Sequence, residues 1–429
     1  MEMVSVYSSK VILFLNNLLY NYIKKTMSVS LQKHKGIELR RRRQTFAANA
    51  SEYVSTTASQ VRIEINVDKE CIDFETGYLM FELEGVKATG AATDLQSVPW
   101  CASSWIRDLR VYDRAGREIG EQVRHYNAFA RKHFEMLGDG AVGADTYMGR
   151  MEGSTMRTDG AATLAGYERA HKLITHVFDV KSYFPAHLMG GLIIEIDLAD
   201  KSEVLFTSNT DLGSITSYTL KNVRYVCDLV LLKPDAEASL RGQLQNGLEI
   251  HYESPMNHNQ SIIAGAGQQR FDLGVASGRI KYVQAFQVLN DRVTPDSIDT
   301  FGLFSQNELT GYRTKLGSEW LTEREIKVSA TKQCEYLVEY LKSMNLESSD
   351  IVNFYGDSTL DLDDRFVIGQ KVEVSKDPDV SSGRRDFQSN KVELELNFGG
   401  SVAAATLYTN IMLEKNLVLL PGRQFKNVD

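Results

Sequence analysis

Strict alternation of apolar and polar residues is the sequence feature that most restricts the fold of this chain. In segment 61–67 every second residue is Val or Ile and the residues between them are polar, and Leu79, Phe81 and Leu83 again place apolar residues at every second position. Successive side chains of an extended chain point to opposite faces, so this period indicates strands with one buried and one solvated face. Further strands are predicted at 173–180, 192–198, 223–232, 248–252, 269–273, 280–289, 366–374, 392–398 and 403–412. The chain is therefore predicted to be all-β.

A strand that leads into a helix occurs twice. Residues 103–112 are typical of a strand, 113–116 of a turn and 117–120 of a second, brief strand. A helix with period 3.6 follows, with a predicted buried face of Val123, Tyr126, Ala130, Phe134 and Leu137 and a predicted solvated face of Arg124, Arg131, Lys132 and Glu135. Residues 326–329 are likewise followed by a helix whose predicted buried face is Cys334, Leu337, Val338, Leu341 and Met344. Segments 138–166 and 294–317 have no clear period and are predicted to be long exposed loops.

The length of 429 residues favours two domains. Each half combines many short strands with one internal helix and long Gly-rich loops, which is typical of a β-sandwich. The predicted division is a basic N-terminal arm at 1–55, a first sandwich at 56–218, and a second sandwich with the C-terminal tail at 219–429. The two halves share the order of their elements and little residue identity.

Charge is distributed unevenly along the chain. The whole chain has a net charge of −8, whereas residues 1–55 carry nine basic and three acidic residues, a charge of +6. A net negative body does not favour a nucleic-acid-binding protein. The run Arg40, Arg41, Arg42 and Arg43 is expected either to contact phosphates of nucleic acid or lipid head groups, or to be a solvated charge run. Segment 11–23 is predicted to be an amphipathic arm or a disordered terminus.

Residues with the spacing of a catalytic or metal site are not found. Asp357, Asp361, Asp363 and Asp364 are the best metal candidates, but they lack the spacing of a calcium loop and are interpreted as solvated turn carboxylates. His125 and His133 are expected to be partly exposed helix positions, and Trp105 and Trp320 to lie in the core or in a subunit contact. Glu249 and Glu253 resemble a glycosidase pair only in their proximity. Four separated cysteines favour a reducing compartment. No cofactor, metal ion or catalytic activity is expected.

Three phrases and the order of the predicted elements carry a resemblance. The first phrase is Ser104–Tyr112 with the following Gly116–Ile119 and Tyr126-Asn127; the second is Phe184-Pro185 with Gly190–Leu198; the third is Leu220–Leu232. Over residues 55–420 the chain resembles the double jelly-roll major capsid proteins of tailless icosahedral dsDNA viruses, in particular those of polinton-like viruses and virophages. The resemblance implies two tandem jelly-roll β-sandwiches, each with a short internal helix and long loops.

The function that this resemblance implies is that of a structural subunit of a virion. Three chains would form a homotrimer of six rolls with a near-hexagonal outline, assembled in the host cell. Such trimers would contact neighbouring trimers, penton proteins and minor capsid proteins in an icosahedral capsid. The basic arm with Arg40–Arg43 would face inward, toward an internal membrane or the genome.

Two other functions are compatible with a pair of β-sandwiches. One is a minor capsid protein at a vertex or at the base of a spike, which predicts a fivefold assembly. The other is a two-domain carbohydrate-binding or glycan-hydrolysing protein, which predicts a monomer with an aromatic groove and a close carboxylate pair. A stable trimer without activity would favour the major capsid protein.

Overall fold

The structure of this chain is a computed structural model. It describes residues 36–87, 95–97, 101–120, 122–136, 163–174, 176–180, 182–207, 215–265, 267–274, 279–290, 305–329, 334–343, 366–372, 391–422 and 424–428.

The first half contains ten described strands and the helices between them. The strands are β1 (Glu38–Ala47), β2 (Glu52–Val54), β3 (Gln60–Ile65), β4 (Cys71–Lys87), β5 (Leu95–Ser97), β6 (Ile106–Asp113), β7 (Thr163–His171), β8 (Leu192–Leu198), β9 (Leu205–Thr207) and β10 (Ile215–Leu232). The helices are α1 (Cys101–Ser104), α2 (Tyr126–Met136), a 3-10 helix (His176–Asp179), α3 (Ala186–Met189) and α4 (Lys201–Val204).

The second half begins with the connecting helix α5 (Pro234–Gln245). Its described strands are β11 (Leu248–Ile262), β12 (Gln268–Asp272), β13 (Arg279–Leu289), β14 (Leu309–Leu316), β15 (Glu319–Trp320), β16 (Ile326–Lys327), β17 (Val367–Lys371), β18 (Val392–Phe398), β19 (Ala405–Leu420) and β20 (Gln424–Val428), and helix α6 (Cys334–Ser343) lies between β16 and β17.

Each half is a sandwich of antiparallel sheets around its own core. In the first sandwich a first large sheet, of order β1-β10-β4-β7, shares one buried apolar cluster with a small sheet of order β3-β8-β6. In the second sandwich a second large sheet, of order β11-β19-β13-β17, shares another cluster with a small sheet of order β12-β18-β14-β15. The alternation predicted from the sequence is confirmed, because Val61, Ile63 and Ile65 are fully buried and Glu64 is exposed.

The two sandwiches repeat one topology. In chain order, β1, β3, β4, β6, β7, β8 and β10 take the same places in the first sandwich as β11, β12, β13, β14, β17, β18 and β19 take in the second. Helix α2 precedes β7 and helix α6 precedes β17, so the helices also occupy equivalent places. The architectural repeat predicted from the sequence is thus confirmed.

The structure differs from the predicted division into an arm and two domains. Strands β1 and β2 pair with β10 in the first large sheet, so residues 38–54 are part of the first sandwich and not of a separate arm. The predicted boundary at 218 lies inside β10, which has 18 residues. The buried cluster of the first sandwich also includes Leu248, Ile250, Leu417 and Leu419 from β11 and β19. These two long strands extend from the second sandwich into the core of the first. A boundary at a single residue therefore cannot separate the two sandwiches.

Three local predictions were wrong. The segment predicted as a strand at 173–180 contains a 3-10 helix, and the strand β7 occupies the end of the loop predicted at 138–166. Strand β14 likewise lies within the loop predicted at 294–317. Residues 138–162 and 294–304 of these two loops are outside the described residues. Both strands contain a glycine and charged residues and lack strict alternation of apolar and polar residues, which made them look like loop in the sequence.

Candidate assembly interface between the two sandwiches

The start of helix α2 is fixed to the first sandwich. The carboxylate of Asp108, on β6, accepts a hydrogen bond from the backbone N–H of His125 at 3.1 Å. The hydroxyl of Tyr126 lies 2.8 Å from Nε2 of His171 on β7. Tyr126 and Ala130 are fully buried in the core of the first sandwich. These contacts fix the orientation of α2, so that the face without Tyr126 and Ala130 points away from the first core.

That remaining face packs against the outer surface of the second large sheet. Ala128 is 2% exposed and belongs to a buried apolar cluster with Phe286, Val288, Tyr340, Val367 and Tyr408. The rings of Phe286 and Tyr408 stack at 5.2 Å, and His125 meets Tyr408 edge to face at 5.4 Å. Since α2 belongs to the first half and the sheet to the second, this cluster joins the two sandwiches. We call it the inter-sandwich junction.

Polar contacts surround the apolar cluster of the junction. The amide of Asn257, on β11, donates a hydrogen bond to the carbonyl oxygen of Arg124 at 2.9 Å. The amide nitrogen of Asn259 lies 3.0 Å from Nε2 of His125. Burial lowers the pKa of His125 and of the nearby His258. The rim of the junction therefore favours neutral imidazoles.

A buried lysine lies at the centre of the junction. The ammonium of Lys132, which is 1% exposed, donates a hydrogen bond to the side-chain oxygen of Gln284 on β13. The amide of Gln284 in turn donates to the hydroxyl of Ser343 on α6 at 2.9 Å, and that hydroxyl donates to the carbonyl of Tyr340. Burial lowers the pKa of Lys132 to about 7. One polar chain thus links α2, β13 and α6.

The prediction that Arg131 and Lys132 are solvated was wrong, because they are 4% and 1% exposed. The prediction for α6 was wrong as well, since its buried residues are Tyr336, Tyr340 and Ser343 while Cys334 and Val338 are exposed. In both helices the second sandwich decides which face is covered. Sequence reasoning missed Lys132, Gln284 and Ser343 as junction residues. No local sequence pattern marks these three residues, because their contacts join parts of the chain that are 152 and 59 residues apart.

A second polar group lies where α2 meets α4. The amide of Asn127 donates hydrogen bonds to Glu203 at 2.5 Å and to the carbonyl oxygen of Ser104 at 3.2 Å. Burial raises the pKa of Glu203 to about 7, and the bond from Asn127 opposes this rise. Burial also raises the pKa of Tyr408 to about 12. Burial thus moves the pKa of both Glu203 and Lys132 to about 7, from opposite directions.

The four arginines Arg40–Arg43 lie on β1, at the edge of the first large sheet. Arg42 makes two hydrogen bonds to Glu70, at 2.7 and 3.1 Å, and Arg40 lies 3.5 Å from the same carboxylate. The bonds from Arg42 lower the pKa of Glu70. Because successive side chains of a strand alternate, Arg40 and Arg42 share one face.

The other two arginines, Arg41 and Arg43, contact a different set of carboxylates. Arg41 lies 3.0 Å from Asp73, which is buried, and 3.1 Å from Glu38. Arg43 lies 3.2 Å from Asp228 on the neighbouring strand β10. The hydrogen bond to Glu38 is the main cause of a raised pKa of Arg41. Each of the four guanidinium groups thus has a carboxylate partner in the chain, which explains how a basic run occupies an edge strand. An inward-facing contact of these arginines stays a prediction.

The other candidates from the sequence are not brought together. Trp105 is fully buried in the first core, 5.2 Å from Phe81, whereas the guanidinium of Arg313 covers the ring of Trp320. Glu253 pairs with Lys281 at 2.5 Å. The cluster Asp357–Asp364 is outside the described residues, as is the side chain of His133. Within the described segments no three metal-ligating side chains converge, and no described helix has the length and apolarity to cross a membrane.

Solved structures with the same arrangement are capsid proteins. The Faustovirus major capsid protein has a TM-score of 0.65 at 8% identity, and the match covers 94% of this chain and 98% of that one. The fold is the double jelly roll. A chain in the PBCV-1 virus capsid has a TM-score of 0.60 at 13% identity, with 91% and 97% covered. The mavirus major capsid protein has a TM-score of 0.51 at 11% identity, with 94% and 92% covered. No protein-family model and no curated protein matches the sequence.

Proposed function

We propose that this chain is a structural major capsid protein. The carrying observation is that the described residues form two jelly rolls of equal topology joined by a buried junction, and that this fold matches structures named capsid proteins of viruses over 91% and 94% of the chain. A rigid pair of similar rolls suits a subunit that must meet copies of itself along several sides. The protein would be located in the capsid of the virion.

The finer form of the proposal concerns partners and activity. Three chains would form a homotrimer of six rolls with a near-hexagonal outline, and trimers would contact neighbouring trimers and the penton and minor capsid proteins. Many weak lateral contacts, each repeated by symmetry, are enough to close a shell. The proposal includes no catalytic activity and no cofactor. The basic N-terminal segment, together with Arg40, Arg41, Arg42 and Arg43 on the edge strand β1, would face a membrane or the genome.

The mass and outline of the purified full-length chain test this proposal. Light scattering after size exclusion is expected to give three times the mass of one chain, and negative-stain images are expected to show threefold particles with a hexagonal outline. A monomer at all concentrations contradicts the proposal, and a fivefold ring favours the minor capsid protein. Binding to a glycan array or hydrolysis of a glycan would favour the carbohydrate-active alternative.

A further inference from the structure

A buried histidine lies where helix α3 of the first sandwich meets the connecting helix α5. The side chain of His187, on α3, is 2% exposed, and its Nε2 lies 3.4 Å from Oε1 of Glu237 on α5. Despite this proximity, neither ring nitrogen has a hydrogen-bond partner among the described residues. Because buried polar atoms are nearly always hydrogen-bonded, the packing of the first sandwich alone does not explain a histidine at this position.

The groups around the ring compensate poorly for a positive charge on it. Oε1 of Glu237, which faces the ring, already accepts a hydrogen bond of 2.8 Å from Nε of Arg241, one turn further along α5. The start of β4 and the residue before it contribute the thiol of Cys71, which interacts electrostatically with Glu237, and the backbone of Glu70. Burial lowers the pKa of His187 and Arg241 lowers it further, whereas Glu237 and the backbone of Glu70 raise it. The net shift is downward, so folding disfavours the protonated ring.

Helix α5 covers part of the first core on the way from β10 to β11. Leu240, on α5, is 1% exposed and belongs to the buried cluster of the first sandwich, and Ala236 and Leu244 pack against that cluster. Just before the helix, the backbone N–H of Lys233 donates a hydrogen bond of 2.9 Å to the carbonyl oxygen of Ile37, next to β1. Detachment of α5 would therefore uncover part of the first core and free the beginning of β1.

We propose that the contact of His187 with α5 is an acid-sensitive switch, in which α5 stays on the first sandwich while the imidazole is neutral and detaches when the imidazole is protonated. An imidazolium has two N–H donors, and the nearest acceptor, Oε1 of Glu237, is shared with Arg241. Burying a charge without adequate partners costs more than exposing it, so the protonated ring draws water in and the helix moves away. The contact lies within one chain, and this inference therefore does not depend on the proposed function.

The sign of the pH dependence follows from the two states of the ring. When α5 is detached, His187 is in water with the ordinary histidine pKa of about 6.5, which is higher than the pKa of the buried ring. The detached state therefore binds more protons than the closed state as the pH falls below this value. Acid shifts the equilibrium toward detachment, by at most about tenfold per pH unit for a single proton. Above pH 7.5 the contact keeps its full stability.

Hydrogen–deuterium exchange of the full-length protein at pH 7.5 and pH 5.5 tests the switch. Each rate is divided by the intrinsic exchange rate at the same pH, so that the ratio reports the local opening of α5. The protection of peptides within 234–245 is expected to fall by between about twofold and tenfold at pH 5.5. His187→Gln, which keeps a neutral polar side chain, is expected to remove this fall. The matched control His251→Gln, at an exposed position of β11, is expected to retain it.

Labelling of Cys71 is a second readout that needs no mutation. This thiol is fully buried, whereas the thiol of Cys334 is exposed and serves as the reference in the same sample. With a pyridyl disulfide, which reacts with thiols at acidic pH, the labelling rate of Cys71 relative to Cys334 is expected to be higher at pH 5.5 than at pH 7.5. An equal ratio at both pH values overturns the proposal, as does a His187→Gln variant that still loses protection of α5 in acid. Stronger protection of α5 at pH 5.5 would mean that the imidazolium binds Glu237, and it overturns the proposal as well.

Discussion

Replacing Lys132 by methionine is the perturbation whose effect the structure specifies best. Burial destabilises the protonated form of Lys132 in the folded chain and lowers its pKa from 10.5 to about 7. At 1.36 kcal/mol per pH unit, the difference between these two pKa values corresponds to about 5 kcal/mol. The folded chain loses this much stability, relative to an unfolded chain in which Lys132 is protonated. Methionine has a similar length and removes this cost, but it leaves Gln284 without its donor, which costs about 1–3 kcal/mol.

The sign of the pH dependence follows from the lowered pKa. Between pH 7 and 10.5 the unfolded chain binds a proton at Lys132 that the folded chain does not, so wild-type stability rises with pH in this window. Below pH 7 the full cost of burial is present. We therefore expect Lys132→Met to stabilise the protein by about 2–4 kcal/mol at pH 6, and to lose about 4 kcal/mol of that relative gain by pH 10.

Urea unfolding at pH 6 and at pH 10, at one protein concentration, measures this difference. Lys69→Met is the control, because Lys69 is exposed, and its effect is expected to stay within about 0.5 kcal/mol at both pH values. A Lys132→Met variant that is destabilised equally at both pH values would refute the reasoning. Such a result would mean that Lys132 is protonated in the folded chain with a charge partner.

Three further predictions concern the same contacts. Phe286→Ala is expected to destabilise the chain by about 3–4 kcal/mol, because it removes a ring of the inter-sandwich junction. Limited proteolysis of this variant should cut between the sandwiches before either sandwich is degraded. The control Ile263→Ala should show neither effect. Arg41→Ala is expected to cost about 2 kcal/mol in thermal unfolding because it leaves buried Asp73 without its nearest cation, whereas Arg40→Ala, on an exposed side chain, should cost less than about 1 kcal/mol. Since the pKa of Glu203 is raised to about 7, wild-type stability should fall relative to Glu203→Gln as pH rises from 4.5 to 7, and equal pH profiles would contradict the burial of that carboxylate.

The fold could be predicted from the sequence because its signal is local. Alternation in 61–67 and the apolar run of 223–232 determine strands that the structure confirms, and two strand-to-helix units indicate the duplication. The junction could not be predicted in the same way. Lys132 meets Gln284 across 152 residues of sequence, and a lysine on a helix is by default assigned to the solvated face.

Helix α6 shows a second reason for a wrong prediction. Its apolar residues occupy two faces, and helical periodicity alone does not say which face meets the sheet. Tyr336 and Tyr340 cover the sheet, and the aliphatic face with Val338 remains outside. The ion pairs of the β1 arginines could not be predicted either, because the carboxylates of Glu70, Asp73 and Asp228 are distant from them in sequence.

The mass of the native particle tests the central claim most directly. Native mass spectrometry of the full-length protein, at concentrations from nanomolar to micromolar, reports how many chains associate through the paired jelly rolls. The account predicts a dominant species of three chains at the upper end of this range. A single chain throughout the range would contradict it.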